Sequence, residues 1–126
     1  MLQLADPYIQ NGIESLYLQV TDGEPVSAEK FTRGLEFLRA QRAAGRRTLI
    51  ACGAGISRST IFAMAALMDA EQRDLFDAYK EVYQQHSGAQ PHHALVMSLA
   101  EYHGDTLSLM DVWDGLRQVQ KQDQGV

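Results

Sequence analysis

Three short segments of the chain have the apolar pattern of β-strands. In the segments 2–4 and 16–20, apolar and polar residues alternate, as they do when one face of a strand is buried. The segment 48–51 is short and largely apolar, which predicts a strand buried on both faces. The sequence from Asp22 to Pro25 is rich in turn-forming residues, so the second strand should end in a loop.

Five later segments carry apolar residues at helical spacing, which predicts five helices. The positions are Phe31, Leu35 and Leu38; Ile61 to Met68; Leu75, Tyr79 and Val82; Leu95, Leu99 and Tyr102; and Leu109, Val112, Trp113, Leu116 and Val119. Ser27 is placed to cap the first helix, and Gly45 to end it. The segment 61–68 is apolar on every face, which predicts a helix at the centre of the domain, with its methionines as packing residues. Trp113 is also expected in the core.

The order of these elements predicts an α/β fold. Strands mixed with helices come first and helices alone follow, which indicates a small, mainly parallel sheet with helices packed around it. A length of 126 residues suits a single domain over residues 1–126, with a polar tail at about 120–126.

Charge and composition narrow the class of partner. A net charge of −5 argues against nucleic acid, because proteins that bind it usually carry a basic face. No apolar segment approaches the ~20 residues needed to span a membrane, and the N-terminus lacks the pattern of a secretory signal. A single cysteine cannot form an intramolecular disulfide, which suits a reducing cytoplasm.

A local basic cluster has two interpretations. Its members are Arg39, Arg42, Arg46 and Arg47. The first interpretation is a solvated helix end, where cations suit the negative pole of the helix dipole. The second is a docking patch for an acidic substrate.

The segment 52–60 combines the features of a phosphate-binding loop. Its glycines allow the backbone to turn so that successive N–H groups point inward, and the following helix adds the N–H donors of its first turn. Arg58 supplies a planar fork that can bond two phosphate oxygens. The predicted phosphate-binding residues are Gly53, Ala54, Gly55, Ile56, Ser57 and Arg58.

Cys52 is the candidate nucleophile because it is expected at the floor of this loop. The N–H groups and the positive charge favour the reactive thiolate, which can attack a bound phosphate in line. Ser59 is placed to donate a hydrogen bond to the sulfur and so to stabilise it as a leaving group. The alternative is a structural cysteine beside a chance arginine, but the strand, glycines and helix around Cys52 favour the reactive site.

This segment resembles the signature of the protein tyrosine phosphatase superfamily, and of its dual-specificity branch in particular. The signature reads His-Cys-x-x-Gly-x-x-Arg-Ser/Thr, and Cys52, Gly55, Arg58 and Ser59 fall on it. The resemblance implies a cysteine-phosphatase fold and a phosphomonoester hydrolase with a cysteinyl-phosphate intermediate and no cofactor. The implied substrate is a phosphorylated protein, with phosphotyrosine expected and phosphoserine or phosphothreonine as further candidates.

The resemblance extends over roughly the first hundred residues. The segment 17–25 resembles the family's strand and general-acid loop, and 82–99 resembles the helix–loop–helix after its active site. By this resemblance Asp22 is the acid that protonates the departing oxygen, with Glu24 as the alternative. The chemistry needs such a group, because an alkoxide or phenolate leaves poorly without a proton.

Two departures from the family pattern support a second hypothesis. Ala51 stands where the family has histidine, and the chain resembles a version of the fold shortened at its N-terminus. Both fit a pseudophosphatase module that binds phosphorylated partners without turnover. A metal site at His92 and His93 is disfavoured, because no other ligands are grouped with them in the sequence.

Overall fold

The computed structural model describes residues 14, 16–52 and 57–123, and these ranges contain five α-helices. They are α1 (Ala28–Ala43), α2 (Arg58–Glu71), α3 (Leu75–Gln85), α4 (His93–His103) and α5 (Leu109–Asp123). α2 packs against α1, α3 and α4, and α5 packs against α3 and α4. Within the described ranges, no helix is both long and apolar enough to cross a membrane. The five predicted helices are confirmed.

Capping side chains set the beginnings of two helices. Ser27 Oγ accepts a hydrogen bond from the backbone N–H of Lys30 at 3.3 Å, and Asp74 accepts one from that of Asp77 at 2.8 Å. Gly45 follows α1 with a φ of 73°, a left-handed conformation that favours glycine. The predictions that Ser27 begins and Gly45 ends the first helix are confirmed.

The centre of the core is the apolar segment of α2. Ile61 and Met64 are fully buried, and Met68 is nearly so. Phe31 of α1 and Leu95 of α4 are also fully buried and belong to the same cluster. The predicted central helix and the packing role of its methionines are therefore confirmed.

The predicted small, mainly parallel sheet is absent from the described residues, so the α/β fold class is wrong for this part of the chain. The segments 16–20 and 48–51 form no strand, and the segment 2–4 lies outside the described residues. Exposure does alternate along 16–20. The buried side of this segment packs on helices, since a Cβ at Gly34 of α1 would lie 3.2 Å from Leu18 Cδ1. Leu49 is 84% exposed, so 48–51 is not a buried strand either.

Apolar alternation failed as a strand signal for a physical reason. It reports only that one face of an extended segment is buried, whereas a strand also needs a neighbour whose backbone completes the hydrogen-bond ladder. Here Leu18 lies against α1 at Gly34, Val20 packs on the helical core, and the Lys30 ammonium donates to the backbone carbonyl of Gln19.

Trp113 lies at the surface and not in the core, and its side chain is 47% exposed. Val112, Leu116 and Val119 form the buried stripe of α5. Successive helix residues are rotated by about 100°, so Trp113 is turned away from the stripe that Val112 begins. The prediction of a core tryptophan is wrong. Val112, Leu116 and Val119 already fill the side of α5 that faces the core, so Trp113 lies outside it.

The basic cluster at the end of α1 is engaged by carboxylates of the same chain. Arg39 forms a bidentate ion pair with Asp69 of α2, which holds the pKa of that carboxyl below its usual range. Arg46 pairs with Glu14 at 2.8 Å. These contacts favour the solvated helix end over a docking patch for an acidic substrate.

A buried hydrogen bond ties the loop that follows Asp22 to α4. The backbone N–H of Val26 donates to Ser98 Oγ at 3.0 Å, and the Ser98 hydroxyl donates to the carbonyl of Leu95 at 2.8 Å. Val26 and Ser98 are both buried. This contact joins residues 72 positions apart and holds the end of the loop against the core.

Ser98→Ala should therefore destabilise the protein. It leaves the buried N–H of Val26 without its acceptor, which costs about 1–3 kcal/mol in the free energy of unfolding. Urea titration followed by circular dichroism measures the change. Ser87→Ala, an exposed turn position, is the matched control and should change little. Equal unfolding free energies for the two variants would count against the anchoring role of Ser98.

Candidate active site

The candidate site lies where the segment ending at Cys52 meets the first turn of α2. Cys52 is half-buried, and its Sγ lies 3.4 Å from both the Oγ and the backbone N of Ser59. The N–H of Ser59 donates to the sulfur. A donor at the start of a helix, together with the positive end of its dipole, stabilises negative charge on the sulfur. The structure thus brings the predicted nucleophile and its predicted serine partner together.

Arg58 is the first residue of α2 and is half-buried. Its Nη1 donates to the backbone carbonyl of Val20 at 3.4 Å. This contact directs the guanidinium towards the segment that leads into Asp22. A guanidinium has several N–H donors, so this contact leaves donors for a phosphate.

Asp22 reaches the same helix end through Ser57. The Ser57 hydroxyl donates to Asp22 Oδ1 at 2.6 Å and accepts the backbone N–H of His92 at 2.8 Å. Ser57 is buried and directly precedes Arg58, so one hydroxyl joins three segments of the chain. Glu24 is exposed in the turn, where its backbone N–H donates to Thr21. Of the two carboxylates, Asp22 is the one with a described contact to the helix end at Arg58.

His92 belongs to this site, although the sequence suggests no role for it there beyond the disfavoured metal site. Its Nδ1 accepts the backbone N–H of Ala94 at 3.0 Å, which caps α4. A Cβ added at Gly23 would lie 3.6 Å from His92 Nε2, so the ring lies against the turn that carries Asp22. The described residues hold no group of three metal-binding side chains. Pro91 marks a helix start in the sequence, but no sequence signal placed that start beside Asp22.

The remaining predicted loop residues are only partly covered by the structure. Gly53, Ala54, Gly55 and Ile56 lie outside the described residues. Of the six predicted phosphate-binding residues, the structure therefore describes Ser57 and Arg58. Ala51, at the position of the family histidine, is exposed.

Comparison with known proteins places the chain in a family. The model of the family described as "Dual specificity phosphatase, catalytic domain" matches residues 3–105. The chain is similar to Dual specificity protein phosphatase 5 of Rattus norvegicus (31% identity) and of Homo sapiens (32% identity), each over 77 residues. These matches cover 61% of this chain and 20% of each relative, so the chain spans about a fifth of the length of the curated relatives it matches. The chain belongs to the dual specificity phosphatase catalytic domain family.

Proposed function

We propose that this chain hydrolyses phosphomonoesters of proteins through a cysteinyl-phosphate intermediate. The observation that carries the proposal is the position of Cys52 Sγ, 3.4 Å from the backbone N and the hydroxyl of Ser59 at the start of α2. Arg58 lies in the same helix turn, and Asp22 is bound to its neighbour Ser57. The proposed nucleophile, anion-binding cation and proton donor therefore all belong to segments that meet at one helix end, which supports the proposal.

The first step transfers the phosphoryl group to sulfur. The fork of Arg58 binds two non-bridging oxygens of the ester, and the Cys52 thiolate attacks the phosphorus in line with the leaving oxygen. The sulfur–phosphorus bond forms as the bond from phosphorus to the leaving oxygen breaks. The carboxylic acid of Asp22 gives its proton to that oxygen, so the product leaves as a neutral phenol or alcohol.

The second step returns the enzyme to its starting state. The Asp22 carboxylate removes a proton from a water molecule, whose oxygen attacks the phosphorus of cysteinyl-phosphate. The sulfur leaves as a thiolate, and the Ser59 hydroxyl turns its proton towards the sulfur to stabilise that charge. Inorganic phosphate is released and Asp22 is protonated again. The chain supplies the nucleophile, the cation and the acid of this scheme, and solvent supplies the water.

The proposed substrate is a phosphorylated protein, with phosphotyrosine first and phosphoserine or phosphothreonine as further substrates. The printed name of the relatives, a dual specificity protein phosphatase, supports this breadth. We place the enzyme in the cytoplasm, because a reactive thiolate has to remain reduced.

Turnover of para-nitrophenyl phosphate by the purified protein tests the proposal. We expect release of phosphate with multiple turnovers per Cys52 and inhibition by vanadate. The competing hypothesis, a module that binds phosphorylated partners without turnover, is favoured by Ala51 at the histidine position. That hypothesis predicts binding of a phosphotyrosine peptide with no release of phosphate.

Asp22→Asn should slow hydrolysis selectively. Proton donation contributes typically ~10²–10⁴-fold, so the variant should lose about this factor with phenyl phosphate, whose leaving group is poor. An ester with a strongly acidic leaving group hardly needs the proton and should be hydrolysed at nearly the same rate. The ratio of kcat values for the two esters measures the effect.

Glu24→Gln is the matched control for Asp22→Asn, because it removes a carboxylate from the same turn. It should leave the ratio of the two esters unchanged. If Glu24→Gln gives the leaving-group dependence and Asp22→Asn does not, the general acid is Glu24.

A further inference from the structure

The first turn of α5 exposes large apolar side chains. Leu109 is 45% exposed, Met110 63% and Trp113 47%. Residues three and four positions apart lie on one face of a helix, so Trp113 neighbours both of the others. The exposed acids Asp111 and Asp114 follow Met110 around the helix and border this apolar surface on one side. An exposed apolar patch with a polar rim is typical of a binding surface.

A row of rings connects this surface with the candidate active site. Trp113 meets His93 edge-to-face, with ring centroids 5.8 Å apart, and His93 lies 4.2 Å from His92. The His92 backbone N–H donates to Ser57 Oγ, whose hydroxyl donates to Asp22. The row, named here the aromatic ridge (His92, His93 and Trp113), therefore begins at the proposed proton donor and ends on the exposed face of α5.

We infer that the aromatic ridge is a substrate subsite, which binds an aromatic side chain near the phosphorylated residue of a peptide. The inference rests on the proposed function, because it takes the phosphate to be bound between Cys52 and Arg58. His92, the first residue of the ridge, bonds to Ser57, which directly precedes Arg58 and also bonds to Asp22. An extended peptide advances about 3.3 Å per residue, so the ridge lies within reach of side chains about two or three positions away.

The chemistry of the ridge favours an aromatic occupant. Rings bind one another through offset-stacked or edge-to-face contacts at centroid distances of about 4.5–7 Å, and the half-exposed Trp113 presents an indole for such a contact. Burial of this indole also removes apolar area from water. A long aliphatic side chain would bury the same apolar area but could not form the ring contact. The preference should therefore be strongest for Phe, Tyr and Trp.

The test compares phosphotyrosine peptides that differ at one position. One series carries Phe at a position from three residues before to three after phosphotyrosine, and the matched series carries Ala. For the wild type, we expect kcat/KM to favour Phe at one of these positions by about tenfold, the size of one good ring contact with its buried area. Trp113→Ala should abolish the preference and Trp113→Phe should retain most of it. Gln118→Ala, an exposed position further along α5, should leave the preference unchanged.

Hydrolysis of para-nitrophenyl phosphate separates this inference from the proposed function. This ester has no flanking residue, so Trp113→Ala should hydrolyse it at the wild-type rate, which also shows that the variant folds. Equal kcat/KM values for the Phe and Ala peptides in an active wild type would overturn the subsite without contradicting the proposed phosphatase activity. A Trp113→Ala variant that changes the oligomeric state while keeping the preference would assign the surface to a second copy of the chain and overturn the inference.

Trp113 is the one tryptophan of the chain, so its fluorescence reports on the ridge even without turnover. In the Cys52→Ser variant, the preferred Phe peptide should change the emission of Trp113 with saturation, and the Ala peptide should do so only at about tenfold higher concentration. If the wild type proves inactive, the proposed function fails. The fluorescence titration would still show whether the ridge binds the Phe peptide more tightly than the Ala peptide. Identical curves for the two peptides would overturn it.

Discussion

Cys52→Ser is expected to abolish hydrolysis of para-nitrophenyl phosphate while it keeps the binding of vanadate. The Sγ of Cys52 lies 3.4 Å from the backbone N of Ser59, a donor that stabilises a thiolate. A serine hydroxyl at this position stays protonated, because its acidity is far weaker than that of a thiol. Arg58 and the N-terminus of α2 remain in place, so the oxyanion should still bind.

Two measurements make this result interpretable. Vanadate affinity, obtained by its effect on thermal unfolding, shows whether the variant retains a folded anion site. Ser87→Ala changes an exposed serine of a turn and serves as a control that should keep the wild-type rate. Hydrolysis near the wild-type rate by Cys52→Ser would rule out the cysteinyl-phosphate mechanism.

Arg58→Lys should reduce both the rate and the affinity for phosphate. A lysine ammonium is a point charge and cannot form the two parallel hydrogen bonds of a guanidinium fork. Loss of one donor to developing negative charge costs about 10²–10³-fold in kcat, and we expect a loss of this size. The contact of Nη1 with the Val20 carbonyl would be lost as well, which should loosen the approach of the Asp22 turn.

The control for this variant is Arg42→Lys, because Arg42 is an exposed arginine that makes only a long contact of 3.9 Å with Asp69 among the described carboxylates. It should keep the rate and the affinity for phosphate, since the positive charge is preserved beside Asp69, eleven positions along α2 from Arg58. An Arg58→Lys enzyme as active as the wild type would show that the charge alone suffices and that the proposed two-oxygen contact is wrong.

The sequence by itself determined the helices and the local part of the candidate site. Caps such as Ser27 and Asp74 act within one turn, and the apolar period of 61–68 reports burial on all faces, so both are readable from neighbouring residues. Cys52, Arg58 and Ser59 are also close together in the sequence, because all three meet at the start of one helix. A short family signature can therefore contain them. The resemblance to the dual-specificity branch is confirmed by the family match over residues 3–105.

Only the tertiary structure decided which segments meet this helix end. The family resemblance implied Asp22 as a site residue, but neither it nor any local pattern indicated that Asp22 and His92 each bond to Ser57 across 35 positions. The predicted sheet failed because alternation along 16–20 shows that one face is buried but not whether a strand or a helix covers it. Trp113 lies outside the core because other apolar residues of α5 occupy the side that faces the interior. Periodicity specifies which faces are apolar, while packing selects the partner of each face and the residues left at the surface.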